Sequence, residues 1–268
     1  MSKDDFGDRM KIYEMQEAGR LLLPLLPICV RLDGRSFSKF TKGMERPYDK
    51  RFSDVMIEVT KYLVSKTNAC IGYTQSDEIS LILYSNIMKN QTFFERRIQK
   101  LVSVLSSMAT AKLNELIRIV FPEKAKQLPV FDCRVWNVPT LIEAVNTILW
   151  REKDATKNSV SMAASFYYSH KELMNKSDKE KQEMLFTKGI NWNDYPIFFK
   201  RGTFIQRIRQ FQKFSSKEIE KLPPKHLART NPDLVIERHS VKQIEMPSFT
   251  KVTNRIDVIF NGQKPLIV

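Results

Sequence analysis

Three carboxylates and one glycine carry the chemistry this sequence can offer. Asp33 and Gly34 close the apolar run PICVRLDG, and Asp77 and Glu78 sit inside GYTQSDEISLILY, between two apolar stretches. Asp is a poor strand residue, and a buried carboxylate is costly unless it is paired or bound to a cation. A polar hairpin turn that happens to hold acids is one reading of SDE. The other is a cation site, because hard divalent ions take carboxylate and carbonyl oxygens together with substrate phosphates. Asp33 and Asp77 could each bridge two ions, a main-chain carbonyl near Gly34 could add a ligand, and Glu78 could orient a base or the ligands themselves. Two ions so held would stabilise the attacking and leaving oxygens of an in-line phosphoryl displacement. Past Gly34, the successive N–H groups of Arg35, Ser36, Phe37 and Ser38 could face a triphosphate.

For these groups to meet, the elements around them must bring two distant segments together. PICVRLD reads as a buried strand ending in a turn, and residues 51–67 place Phe52, Val55, Met56, Val59, Tyr62 and Leu63 at helical spacing. CIGY and EISLILY are two strands around TQSD. Thr92 to Phe121, free of Gly and Pro, carries one apolar stripe of a long helix, and PVFDCRVWNVP is a further strand. Strand, helix, strand, strand, helix, strand is the ferredoxin-like order, in which the third strand lies between the first and second. Asp33 at the end of the first strand then stands beside Asp77 and Glu78 at the start of the third. The fold class is α+β, with a palm-like core over residues 25–138. Residues 139–268 form a helical and basic extension, and the whole is one continuous body. Helices are expected over Thr140–Trp150 and Ser159–Ser169 and near 176–186. Loop and strand follow at NWNDYP and FKRGT, and the proline-rich C-terminal region reads as irregular crossing segments and short strands.

The formal net charge is +14, from 44 Lys and Arg against 30 Asp and Glu. A balance this basic points to a polyanionic partner, most often nucleic acid. In KRGTFIQRIRQFQKF phenylalanines alternate with cations, which suits base stacking beside phosphate contacts and equally an ordinary strand with aromatic core residues. No apolar run spans a bilayer. Three widely spaced cysteines, Cys29, Cys70 and Cys133, argue for a reducing compartment, and the polar start MSKDDFGDRMK argues against a leader, so the expected location is cytoplasmic. The cysteines and Trp136, Trp150 and Trp192 are expected in the core, and His170, His226 and His239 lack metal-ligand spacing.

RLDGRSFSKF, GYTQSDEISLILY, FDCRVWNVP and FKRGT, in this order, resemble the tRNA-histidine guanylyltransferase family, and especially its guanylyltransferase-like branch. The resemblance implies a polymerase palm that adds nucleotides 3′-to-5′ at a tRNA 5′ end, with Mg²⁺ as two ions and ATP, GTP or other nucleoside triphosphates as substrates. It implies Asp33, Asp77 and the Gly34 carbonyl as metal ligands. Residues 33–38 and Ser76 would hold the triphosphate, Arg46, Arg134, Lys181 and Lys200 would meet phosphates or RNA, and the assembly would be a homotetramer. One departure stands out. Where the family's guanylyltransferases carry His-Ile-Asn-Asn-Leu-Tyr-Asn after Trp-Arg, this chain has WREKDATKNSVSM, with Thr156 in the histidine's place. That favours template-directed 5′-end repair over untemplated G addition to histidine tRNA. A tRNA-binding protein on an inactive palm is the non-catalytic alternative, which would not need the three acids, and a palm-type nucleotide cyclase would not need the charge.

Overall fold

The computed structural model describes residues 5–88, 93–231 and 233–267, apart from the side chains of Glu17 and Arg209. Six strands form one antiparallel sheet in the order β4-β1-β3-β2-β5-β6. They are β1 Ile28–Gly34, β2 Ile71–Gln75, β3 Glu78–Leu83, β4 Phe131–Asn137, β5 Thr203–Lys213 and β6 Val235–Ile244. The helices are α1 Asp5–Ala18, α2 Phe37–Phe40, α3 Lys50–Thr67, α4 Ile98–Val120, α5 Leu141–Tyr167, α6 His170–Leu173, α7 Asp178–Thr187, α8 Ile197–Arg201, α9 Ser216–Lys221, α10 Leu227–Thr230 and α11 Arg255–Asn261. The first four strands, with α3 and α4, make the ferredoxin-like arrangement that the sequence order predicts.

Alternation along the strands gives the sheet two apolar faces. Val30, Leu32, Ile79 and Leu81 pack with Val59 and Leu63 of α3 and with Leu101, Leu105, Ala109, Leu113 and Ile117, the buried stripe of α4. Each such Leu or Ile contributes about 1.5–3 kcal/mol by leaving water. On the other face Cys29, Ile71, Tyr73, Ile82 and Phe204 pack with Ala144, Val145 and Ile148 of α5 and Val258 and Ile259 of α11. The helix ends follow local chemistry. Asp49 caps α3 by accepting from the Arg51 N–H, and Asn68 closes it in the left-handed conformation.

Three expectations are corrected. The two helices expected on either side of Trp150–Ser159 are one, α5, because the polar stretch between them contains no Gly or Pro and its Arg151 and Glu152 are buried and bonded. FKRGT, expected as a strand, begins as helix: after a turn of 3₁₀-helix in NWNDYP, Phe199, Lys200 and Arg201 close α8, which Gly202 ends at φ 75° before β5 begins at Thr203. In the C-terminal region, expected as irregular crossing segments and short strands, one long strand of 10 residues, β6, pairs with β5 from Phe204↔Ile244 to Lys213↔Val235. Pro223, Pro224, Pro247 and Pro265 lie between these elements rather than inside them. Thr92, the expected start of the long helix, lies outside the described residues, and α4 begins at Ile98.

Candidate active site

Antiparallel pairing of β1 with β3 sets Asp33 directly opposite Glu78, so Asp77, one residue earlier, lies at the same end of the sheet. The backbone fastens the two segments there: the Gly34 N–H donates to the Asp77 carbonyl at 3.2 Å. Ser76, at φ 48°, makes the sharp turn that ends β2 and delivers Asp77. Asp33 and Asp77 open onto a cleft of about 750 Å³ whose opposite wall is α5. Burial pushes the Asp77 carboxyl above its ordinary value. Hydrogen bonds from its own N–H and the Ser76 hydroxyl oppose that shift, and the nearby Asp33 carboxylate adds to it. Among the described residues no Lys or Arg forms an ion pair with either acid.

Two adjacent carboxylates without a protein cation fit a hard divalent ion. The described residues hold no group of three or more Asp, Glu, His or Cys side chains that could enclose a metal. The donor set is therefore an incomplete one of the kind Mg²⁺ uses when backbone, water and phosphate oxygens complete its shell.

Gly34 is required by packing. A Cβ there would lie 2.4–2.7 Å from carbons of the Phe37 ring. That ring is locked among Phe40, Phe52 and Phe131 at centroid distances of 5.4, 6.1 and 5.4 Å. Beyond it Ser36 takes the left-handed conformation and starts the single turn of α2. Among the described residues the N–H groups of Ser36, Phe37 and Ser38 have no acceptor, as a phosphate-facing turn needs. The Arg35 N–H does not join them, because it donates to the Val130 carbonyl at 2.9 Å. Arg35 and Ser36 line a second concavity, apart from the one that holds Asp33 and Asp77.

Glu78 has a different task from the acid pair. Its two oxygens accept from Arg151 Nε and Nη2 at 2.5 and 2.6 Å, and both side chains are buried. Burial pushes the Glu78 carboxyl up while the guanidinium pulls it down, and the charged Arg151 is held firmly enough that its own pKa rises. Glu78, expected to be catalytic, lines the same cleft, and each of its oxygens accepts from Arg151, so it ties the sheet to α5. Arg151 also reaches Asp154 at 2.9 Å and lies over the Trp150 ring, with Arg31 over the same ring. Trp150, expected in the core, is 51% exposed.

The four expected basic contacts divide. Arg46 lines the cleft. Lys181 stands behind its wall, with Nζ donating to Ser161 Oγ at 3.0 Å. Arg134 is outside it, half-exposed on the edge strand β4 and 3.6 Å from Asp132. Lys200 is buried, donates to the Asn193 carbonyl and lies over the Trp192 ring. It pins the interior and is closed to RNA. The sequence reading gave no role to most of the α5 wall. Arg151, Asp154, Asn158, Ser161 and Ser165 recur at intervals of three and four, so a polar stripe on an otherwise packed helix was the signal available. From the cleft a narrow side pocket leads off past Arg46, Gln75 and Asn158, with Tyr48, Phe52, Phe198 and Phe199 as its aromatic walls among polar groups that include Glu45, Asp49 and Ser53.

With this geometry in view, the chain was compared with known proteins. A profile of the family described as Thg1, tRNAHis guanylyltransferase, matches residues 7–139. The tRNA(His) guanylyltransferase of Saccharomyces cerevisiae is 33% identical over 209 residues, spanning 71% of this chain and 86% of that protein. A bacterial tRNA(His) guanylyltransferase (Thg1)-like protein in complex with ATP superposes with a TM-score of 0.72 at 41% identity, covering 75% of this chain and 88% of that one. One in complex with GTP gives 0.70 at 34% identity, covering 92% and 95%.

Proposed function

Because the chain belongs to the tRNAHis guanylyltransferase family and is a nucleotidyltransferase, we propose that it extends tRNA 5′ ends with the base dictated by the opposite strand. The observation that carries the reading is the pair Asp33 and Asp77, placed at one end of the sheet with neither in an ion pair with a Lys or Arg among the described residues. Mg²⁺, the expected metal, when bound by these carboxylates and the Gly34 carbonyl, would offset the charge that builds on phosphate oxygens. The chain's own groups do the rest. The N–H groups of Ser36, Phe37 and Ser38 donate to the triphosphate, Arg46 faces it across the cleft, and the aromatic side pocket takes the base of ATP or GTP.

In the first step a 5′-monophosphate oxygen of the RNA attacks the α-phosphorus of the nucleotide and pyrophosphate leaves. In the second, the 3′-hydroxyl of an incoming nucleotide attacks the activated 5′-phosphate and the nucleoside monophosphate leaves. Both are in-line displacements that need the same acid pair.

Selection by base pairing is supported by Thr156. Its hydroxyl donates to the Glu152 carbonyl at 3.0 Å, and it lies outside the residues that line the cleft. The position therefore presents neither an imidazole nor a free donor to RNA. On the same reading the protein acts as a homotetramer in the cytoplasm. Among the described residues no helix is long and apolar enough to cross a membrane.

The test is to incubate the protein with Mg²⁺, labelled nucleotides and tRNAs of several identities lacking their first 5′ nucleotide, with each of the four template bases opposite the gap. The Watson–Crick nucleotide should win by kcat/KM every time. Addition of G whatever the template, and to histidine tRNA alone, would refute templated repair.

A further inference from the structure

The second concavity, of about 730 Å³, lies on the far side of the turn that follows Gly34 and is lined by no acid. Arg35, Lys39 and Lys42 line one side of it, all exposed and none in an ion pair with another described residue. Its other side is apolar, with Leu128 55% and Val130 39% exposed around Pro129. Beneath it is a fourth cation. Lys124 is 8% exposed, and its Nζ donates to the carbonyls of Phe40 and Lys42 at 3.0 and 2.8 Å. No carboxylate among the described residues pairs with it. Burying a charge that lacks a counter-ion is expensive, and an anion seated above it would offset part of that cost.

We propose that this concavity seats phosphate oxygens of the RNA chain next to its reacting 5′ end, as a contact that borders the triphosphate turn at Ser36 and lies outside the cleft of the acid pair. The inference rests on the RNA-extending function argued above. Position supports it. The Arg35 N–H bond to Val130 joins the two sides of the concavity only two residues beyond Asp33, a span of at most about 7 Å along the chain. A strand leaving the cleft therefore meets these cations at once. Composition supports it too. Free pyrophosphate has no use for the apolar side, whereas a ribose-phosphate chain offers anionic oxygens to the lysines and sugar carbons to Leu128 and Val130. The two carbonyls on Lys124 hold the loop bearing Lys42, so the buried ammonium both places one surface cation and raises the local potential.

The experiment reverses the charge of Lys39 and Lys42, which are exposed and outside the cleft. Binding of a 5′-truncated tRNA transcript to the Lys39→Glu/Lys42→Glu variant is measured against salt, beside the KM for ATP and inhibition by pyrophosphate. Circular dichroism and melting confirm the fold, and Lys39→Gln/Lys42→Gln separates loss of attraction from added repulsion. RNA affinity should fall by about tenfold or more at low salt. The slope of log affinity against log salt should shrink by roughly 1.4, near 0.7 for each lost single-strand phosphate contact. The KM for ATP should not move. Unchanged affinity and slope would overturn the inference, and so would a loss confined to pyrophosphate inhibition, which would mark a free-anion site. Since binding is read without turnover, a wild-type protein that binds through these lysines yet adds no nucleotide would fault the proposed function and leave this inference standing.

Discussion

Removing the guanidinium of Arg151 should cost the protein a large part of its stability, and the structure fixes how that cost depends on pH. In Arg151→Met, Glu78 keeps its buried place and loses both of its 2.5 and 2.6 Å partners. Breaking a buried pair in this way costs about 3–5 kcal/mol, because an uncompensated charge stays behind. Glu78→Met should cost less, since Arg151 retains Asp154 at 2.9 Å, whose side chain is 40% exposed and screened by water. The double variant, with two apolar side chains in the same space, should recover most of the loss. Burial already pushes the Glu78 carboxyl up, and in Arg151→Met nothing pulls it back down. A folded-state pKa raised above the unfolded value of about 4.3 destabilises the fold as pH climbs through that interval, while protonation at low pH removes the penalty. The deficit of the single variant should therefore be full at pH 7.5 and shrink markedly by pH 4.5. Urea unfolding followed by circular dichroism measures it as a shift in midpoint at constant slope. A loss under about 1 kcal/mol, a deficit that grows toward acid, or a double variant no better than Arg151→Met would refute the argument.

Other perturbations separate site from scaffold. Asp77→Asn should lower nucleotide addition by several orders of magnitude. It should leave the melting temperature unchanged or higher, because it removes a buried charge beside Asp33; near-normal turnover with Mg²⁺ would count against the metal assignment. Gly34→Ala should lose activity and about 1–3 kcal/mol of stability, since the Phe37 ring must move from a packed cluster; an unchanged unfolding midpoint would show that it yields freely. Arg207 donates to the Val64 and Ser65 carbonyls at the end of α3, so Arg207→Glu should destabilise the fold rather than weaken RNA binding directly. Filter binding beside melting curves distinguishes the two.

The core of the fold was legible because its signals are local. Apolar alternation in ICVRL and EISLIL, a stripe through α4 and the absence of breakers inside each element fix four strands and two helices, and their order fixes which strand ends meet. Asp33 and Asp77 were legible for the same reason. The partners that define each charge were not. Glu78 and Arg151 are 73 positions apart, and nothing near either residue announces the other. Lys200 and Arg207 sit in basic stretches that read as RNA contacts, yet tertiary packing turns their donors onto backbone carbonyls. The arginine next along, Arg209, has a side chain outside the described residues. The β5–β6 hairpin was obscured by the residues between its strands, where α9 and α10 carry the chain from Lys213 back to Val235.

The continuity of α5 gives the cleft a mechanical character. At 1.5 Å per residue its 27 residues span roughly 40 Å, with no Gly or Pro at which to hinge. Along that length it is bolted at several heights: Arg151 to the sheet, Glu152 to the Phe249 N–H, Ser159 to the Trp192 indole and Ser161 to Lys181. A rod so fixed cannot flex one wall of the cleft by itself. It transmits displacement, so a shift at Arg151 reaches Phe166, about 15 residues along, as a rotation of the whole beam together with α7 and the C-terminal segment. Width at the acid pair and width at the far end of the cleft are then one variable, and a substrate gripping either end sets the gap at the other.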